Sequence, residues 1–317
     1  MQRVALDQSR FDPEGSLPQV SHRPSPILKS GFVAVVGKPN VGKSTLLNRL
    51  VGQKLAITSP RAQSTRERVT GILTFGDTQA VLVDTPGLLE PTVALQQVMR
   101  ATAIHALRDA DVILHLVEAT DQPESLADLA GLSMPPRAPI LVVRTKADLL
   151  SDERRAEVEH DSSACVVSAV TGQGLDELLN RLSALLPEGA FLFPEDDVST
   201  QHLRFFAAEM IRETALEQLN EEVPHAIACA IEEFREDRSP VYIRAVVYVE
   251  RDSQKRIVIG HQGTRIREIG SAARLKIEEL LSTPVYLDLW VKVLPNWRRD
   301  HNALRRLGYV MPEAPRS

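Results

Sequence analysis

The run Gly37-Lys38-Pro39-Asn40-Val41-Gly42-Lys43-Ser44 constrains this chain more than any other feature. It fits GxxxxGK[ST] and lies between an apolar strand pattern, GFVAVVG, and a helical one, KSTLLNRLVG. Glycines let successive backbone N–H groups curl around a phosphate, and the helix that follows turns its positive end toward it. In that arrangement Lys43 reaches the β- and γ-phosphates and the Ser44 hydroxyl ligates Mg²⁺. The rest of the first half keeps the same rhythm. RVTGILTF and QAVLVD are two strands joined at Gly76-Asp77. DVILHLVEA, PILVVRT and SACVVSA are three more, with helical segments around 91–108, 121–132 and 152–159, and LDELLNRLSALL closes the series as an amphipathic helix. The expected class is α/β, a doubly wound mixed sheet with one antiparallel edge hairpin.

The stretch PEGAFLFPEDDVST, 187–200, breaks this rhythm with prolines and acids and reads as a linker. A helix (QHLRFFAAEMIRETALEQL), two alternating strands (HAIACAIEEF, VYIRAVVYVER), a glycine turn with helical character and a last strand (VYLDLWVKVL) follow. That order is a small α+β domain with a three-stranded sheet. Charge divides the chain in the same way. The net charge is −5, yet residues 241–317 hold 14 Lys and Arg against 8 Asp and Glu, leaving +6 there and −11 elsewhere. An acidic front and a basic back suggest two modules, the second touching something anionic; a solvated basic face is the alternative.

Composition removes several classes. Cys165 and Cys229 are the only cysteines, which excludes a zinc site and a disulfide framework and fits a reducing compartment. No apolar run reaches the roughly 18–20 residues needed to span a bilayer. The opening residues carry Asp7, Asp12 and Glu14 and lack an apolar signal core. Segment 1–30, with four prolines and no periodicity, reads as a mobile tail.

Three further motifs end strands in order. Asp84-Thr85-Pro86-Gly87 places a carboxylate where it holds a magnesium-bound water and a glycine N–H where it senses a γ-phosphate. Thr145-Lys146-Ala147-Asp148 offers a carboxylate to guanine N1 and N2, which adenine cannot match. Ser168-Ala169 suits a backbone contact to a base oxygen. Together with the phosphate loop and Thr45 behind it, this set resembles the guanine-nucleotide-binding fold of translation-factor-type GTPases over residues 31–186. The resemblance implies Thr65, in Gln63-Ser64-Thr65-Arg66, as the Mg²⁺ ligand of a first switch. It makes Lys43, Thr65, Asp84 and Gly87 the catalytic set.

Two positions depart from that pattern. Thr145 stands where such proteins usually have asparagine, so one tie between base and phosphate loop is expected to be lost while Asp148 retains guanine selectivity. Leu88 follows Gly87 where Ras-like proteins have a water-orienting glutamine, so turnover is expected to be slow, on the order of 10⁻³ s⁻¹ or below. In the similar subclass an asparagine placed as Asn40 accompanies a bound potassium ion, which would add transition-state charge.

In the second half, Gly260-His261-Gln262-Gly263 is a GxxG turn, read as lying between a strand (Val258-Ile259) and a helix. The order of elements around it resembles a type-II KH domain, over about 201–294. The likeness implies a single RNA strand against the glycines, with Arg265, Arg267, Arg274 and Lys276 facing its phosphates. Residues 295–317 are a basic tail in which Trp297 and Tyr309 either extend an RNA surface or pack on the last strand. A GTPase domain followed by a type-II KH domain, with AQSTRERVTGIL, DTPGL, EEVPHAIACAIEEF and NWR…ALRRLGY, resembles the Era family of ribosome-assembly GTPases. Membership implies GTP and GDP as ligands, Mg²⁺ and K⁺ as cofactors, and binding of the 3′ end of small-subunit ribosomal RNA during small-subunit maturation. It also implies a cytoplasmic monomer with peripheral contact at the inner membrane, which nothing in the sequence predicts independently.

Overall fold

The computed structural model describes residues 27–311 apart from 62 and 160–162. The first half is a six-stranded sheet in the order β2-β3-β1-β4-β5-β6. Its strands are β1 (Lys29–Gly37), β2 (Val69–Phe75), β3 (Thr78–Asp84), β4 (Val112–Glu118), β5 (Ile140–Thr145) and β6 (Ala164–Val166). All neighbours are parallel except the β2–β3 hairpin at the edge. Its turn uses Gly76 at φ 52°. β1 is apolar on both faces because both are covered: Val33 and Val35 meet Leu46 and Leu47 of α1 (Lys43–Val51) and Leu178 of α5 (Leu175–Leu185). Ala34 and Val36 join the cluster holding Ala103 and Leu107 of α2 (Ala94–Asp109) and Leu126 of α3 (Leu126–Ala130). Two-sided burial is why parallel strands lose polar alternation. The remaining helix, α4 (Asp152–Glu159), lies before β6.

The second half runs α6 (Leu203–Gln218), β7 (Ala228–Arg235), β8 (Val241–Val249), α7 (Asp252–Ile259), α8 (Thr264–Leu281) and β9 (Val285–Val293). β7 and β8 are antiparallel, β8 and β9 parallel. Ile211, Val258, Ile269 and Ile277 pack on Ile243 and Val247 in one core. A last helix, α9 (His301–Arg306), follows β9.

Four expectations need correction. The tail does not extend to residue 30: Lys29 and Ser30 already belong to β1, and residues 1–26 lie outside the described residues. The helix expected over 121–132 shortens to Leu126–Ala130, since Pro123 precedes it and Gly131 at φ 63° ends it. Val258 and Ile259 are not a strand but the end of α7, stopped by Gly260 at φ 72°. The GxxG turn therefore joins two helices. The 187–200 stretch is tied to the first half: Gln79, fully buried, accepts from the backbone N–H groups of Leu192 and Phe193 and donates to Phe193 O.

The C-terminal alternatives resolve toward packing, though not on the last strand alone. Trp297 is fully buried with Leu95, Val98 and Met99 of α2, and its Nε1–H donates to Ala226 O at 2.9 Å. Tyr309 stacks on it at 6.3 Å and 14°. The two rings thus join the halves.

Candidate nucleotide and nucleic-acid sites

The four strand-end motifs converge at the carboxyl ends of the parallel strands β1, β3, β5 and β6. Gly37, at φ 153°, closes β1, and a Cβ there would lie 2.4 Å from Leu116 O. Gly42 caps α1 at φ 97°. Lys43 is buried, and its Nζ donates to the loop's own carbonyls, Lys38 O at 2.8 Å and Gly37 O at 3.3 Å. Burial lowers its pKa to about 8 against the opposing pull of Asp84. An amine held among carbonyls under an open loop is set to exchange them for phosphate oxygens. The Lys38 side chain instead points away and pairs with Glu124 at 2.8 Å, so only its backbone serves the loop.

Ser44, Thr65 and Asp84 meet beside Lys43. Ser44 Oγ lies 2.9 Å from Thr65 Oγ1 and donates to Asp84 Oδ2 at 2.7 Å. Thr65 Oγ1 also donates to Asp84 Oδ2 at 3.3 Å. Asp84 is fully buried, and burial raises its carboxyl to about 6 although Lys43 and both hydroxyls favour the anion. Its Oδ1 is buried without a hydrogen-bond partner. Two hydroxyls and an unsatisfied carboxylate oxygen are a donor set for a hard cation such as Mg²⁺. Thr85 Oγ1 anchors the following turn on Val35 O at 2.9 Å. Gly87 comes so near Pro39 that an added Cβ would sit 2.7 Å from its nitrogen, so the Pro86-Gly87 backbone lies against the phosphate loop. Leu88 is buried in the core and reaches no water.

A cavity of about 550 Å³ opens over Gly42, Lys43, Ser44, Thr65 and Gly87. A second, of about 250 Å³, shares Asn40, Gly42, Thr45 and Lys146 with it and is lined by Thr145, Asp148 and Ala169. The second has the position and lining expected for the base. Asp148 is exposed at its mouth, aimed by Ser168 Oγ, which donates to Oδ1 at 2.6 Å. Ala147 is buried beneath, and Lys146 Nζ pairs with Glu118 at 2.6 Å. Thr145 keeps the loop half of the tie between base and phosphate loop: its hydroxyl donates to Val41 O at 2.7 Å. A hydroxyl has a single hydrogen, so the contact forgone is one to the base. Asn40, at φ 62°, donates from Nδ2 to Pro60 O at 3.0 Å.

The GxxG turn exposes His261 and Gln262. Arg267 caps it by donating to Gly263 O at 3.0 Å and Gln262 O at 2.8 Å, and Arg265 donates to Gln218 O at 2.9 Å. Both guanidiniums stay exposed beside the turn. Arg274 and Lys276 are different. Arg274 pairs with Glu278 one helical turn on at 2.7 Å, and Lys276 is held between Glu213 and Glu217 of α6 at 3.0 and 2.9 Å. Both charges are thus paired with carboxylates of this chain, whereas Arg265 and Arg267 bond backbone carbonyls beside the turn.

A family profile described as 50S ribosome-binding GTPase matches residues 32–146, and one described as KH domain matches 222–298. GTPase Era of Ectopseudomonas mendocina is 42% identical over 295 residues, covering 90% of this chain and 99% of its own. GTPase Era of Ruminiclostridium cellulolyticum is 40% identical, covering 89% and 97%. The chain belongs to the Era GTPase family. Two solved structures agree, each 40% identical and covering 90% of this chain and 100% of theirs. A point variant of Aquifex aeolicus Era bound to GDP·AlF₄⁻ has a TM-score of 0.84, and Era in complex with MgGDPNP and nucleotides 1506–1542 of 16S ribosomal RNA has 0.83. The chain is accordingly a GTPase that converts GTP and water to GDP and phosphate.

Several residues of this site had no signature in the sequence. Ile57, Thr58, Ser59 and Pro60 form one wall of the phosphate cavity, and Leu149 and Val170 the rim of the base cavity. Asn48 shapes the turn before that wall, its Oδ1 accepting from Leu55 and Ala56 N–H at 2.9 Å. Among the described residues no helix is long and apolar enough to cross a membrane.

Proposed function

We propose that this GTPase binds the 3′ end of small-subunit ribosomal RNA through its GxxG turn, with GTP bound, and assists maturation of the small subunit. The observation that carries this is the exposed His261-Gln262 turn capped by Arg267, in a chain matching over 90% of its length an Era whose structure holds such RNA. Two α-helices diverging from a glycine turn let an RNA backbone approach closely, while the neighbouring arginines supply charge.

For hydrolysis, Lys43 and the loop N–H groups hold the β- and γ-phosphates, and Gly87 N–H faces the γ-phosphate. Ser44 and Thr65 are the residues that would hold Mg²⁺, with Asp84 orienting its water; the ion supplies charge neutralisation between the phosphates. Asn40 would hold potassium. Among the described residues no side chain is placed as a general base, and Leu88 cannot orient water, so slow intrinsic turnover follows. Equal hydrolysis rates in sodium and potassium buffers would remove the potassium assignment.

Crosslinking of the GTP-loaded protein in a lysate, followed by sequencing of bound RNA, tests the RNA reading. Gly263→Asp is the control variant. At Gly263 an added Cβ meets nothing nearer than Ile266 at 4.0 Å, and aspartate is strained less than most side chains at its φ of 76°. At Gly260 a Cβ would strike Arg265 at 2.7 Å. Recovery of the ribosomal 3′ end, lost in Gly263→Asp, supports the reading. Unrelated RNA, or equal recovery by the variant, overturns it.

A further inference from the structure

Thr65 can serve the metal only if its backbone is held, yet it sits in a segment, residues 52–68, that lies between α1 and β2 with no regular element among its described residues. A chain that long does not fix itself, because each ordered residue costs about 1–2 kcal/mol of backbone entropy. Asn48 and Asn40 tie its first part to the GTPase half, but the ties to Ser64 and Arg66, on either side of Thr65, come from the KH half. Arg212 of α6, oriented by Glu209 at 2.6 and 2.8 Å, donates to Ser64 O, the carbonyl immediately before Thr65. Arg66, immediately after it, donates to His225 O at 3.2 Å and to Ile227 O in the approach to β7. Its guanidinium lies over the Trp297 ring at 5.5 Å. Trp297 in turn is anchored on Ala226 O.

We infer that Arg66 and Arg212 are positioning residues for GTP hydrolysis, Arg212 holding the Ser64 carbonyl before Thr65 and the Arg66 side chain anchoring the residue after it, so that the Thr65 hydroxyl stays beside Ser44 and Asp84. Both are buried, with 4% and 3% exposure, so these charge-assisted bonds act in a low dielectric where they are strongest. Neither lines the nucleotide cavity; they act on the metal site only through Thr65. A second pair of ties lies farther out. Arg61 donates to Leu219 O, and Glu213 accepts from Thr58 N–H at 3.3 Å and Lys54 Nζ at 2.7 Å. Because the partners of Arg66 belong to the KH half, placement of that half and placement of Thr65 are one equilibrium. By linkage, whatever the KH half contributes to holding Thr65, a triphosphate that holds Thr65 returns to the KH half by the same factor.

The inference rests on the hydrolysis reaction and not on which RNA is bound, so its test contains no RNA and its outcome is independent of the crosslinking result. Full-length Arg66→Ala, Arg212→Ala, Arg66→Lys and Arg61→Ala would be compared for single-turnover hydrolysis, magnesium dependence, affinity for GDP and for a non-hydrolysable GTP analogue, and hydrogen exchange of residues 58–70. Misplacing a reacting or coordinating group by about 1 Å costs on the order of 100-fold, so both alanine variants are expected to lose about 10- to 100-fold in rate. They should need more magnesium and exchange faster at 63–67 in the analogue-bound state, with GDP affinity kept. Arg66→Lys, which retains the charge over Trp297 and one carbonyl contact, should recover part of the rate, and Arg61→Ala, whose tie lies farther from Thr65, should lose less than either neighbouring alanine variant. If rates hold while melting temperature falls, or if GDP and analogue affinities drop together, the arginines only glue the halves and the inference is wrong.

Discussion

Thr145→Val tests how the protein manages without the usual asparagine. Valine has nearly the shape of threonine and removes only the hydroxyl, whose hydrogen goes to Val41 O at 2.7 Å; the alternative acceptor, Val117 O, is farther at 3.3 Å. Thr145 is 4% exposed, so water cannot replace the bond without loosening the loop. Leaving one buried partner unmatched costs about 1–2 kcal/mol. The Val41 carbonyl belongs to the loop that must be formed when nucleotide is bound, so this cost falls on affinity. The GDP dissociation constant should therefore rise about 5- to 30-fold. Fluorescent-GDP titration measures it, with Thr145→Ser as the variant that keeps the hydroxyl and stays near wild type. Thr145→Asn has two amide hydrogens, one for Val41 O and one for the base, and should bind at least as tightly as wild type. Selectivity for GTP over ATP should survive in all three because Asp148 and Ser168 are untouched. GDP binding by Thr145→Val at the wild-type level would refute the reasoning.

Trp297→Ala, which empties a fully buried site between the halves, should cost about 3–5 kcal/mol in denaturant unfolding; a change under about 1 kcal/mol would contradict the packing described. For Glu213, burial pushes the carboxyl up, but Lys54 and Lys276 outweigh it and hold its pKa below the usual 4.5. Its stabilisation is then full above pH 4.5 and fades as pH falls through the lowered value. The gap between wild type and Glu213→Gln, about 1–3 kcal/mol at neutral pH, should close in acid; a gap that widens there has the wrong sign. Burial pushes the Cys229 thiol up to about 12 and raises that of Cys165 as well, so neither should react with a thiol reagent at about pH 8 until the chain is denatured. Rapid labelling of native protein would contradict this.

Much of the nucleotide site was legible because its chemistry is local. A phosphate needs backbone N–H groups from one short loop, so spacing within Gly37–Ser44 carries the message, and DTPG, TKAD and SA each end a strand that its own apolar run announces. Thr145 shows the limit of such reading. Residue type gave the loss of an amide, but which acceptor the hydroxyl would choose depends on Val41, 104 positions away. The GxxG turn was found from its glycines, whereas its flank was misread because a β-branched run such as Ile257-Val258-Ile259 suits a strand until packing of Val258 on the sheet makes it helical. Arg274 and Lys276 looked free because a charge count does not show that Glu278 lies one turn along the helix from the first, or that Glu213 and Glu217 face the second from α6.

By itself the sequence determined what short-range covalent geometry can determine: two modules, the strand–loop–helix that holds phosphate, the order of the four nucleotide motifs and the GxxG turn. Tertiary structure alone decided how those modules meet. The contacts that seat Thr65 join Ser64 to Arg212 and Arg66 to Ile227 across 148 and 161 positions. A buried guanidinium takes whichever carbonyl the packed helices bring within reach. No periodicity or motif encodes that choice, because its energy exists only once both domains are folded and water has been excluded between them.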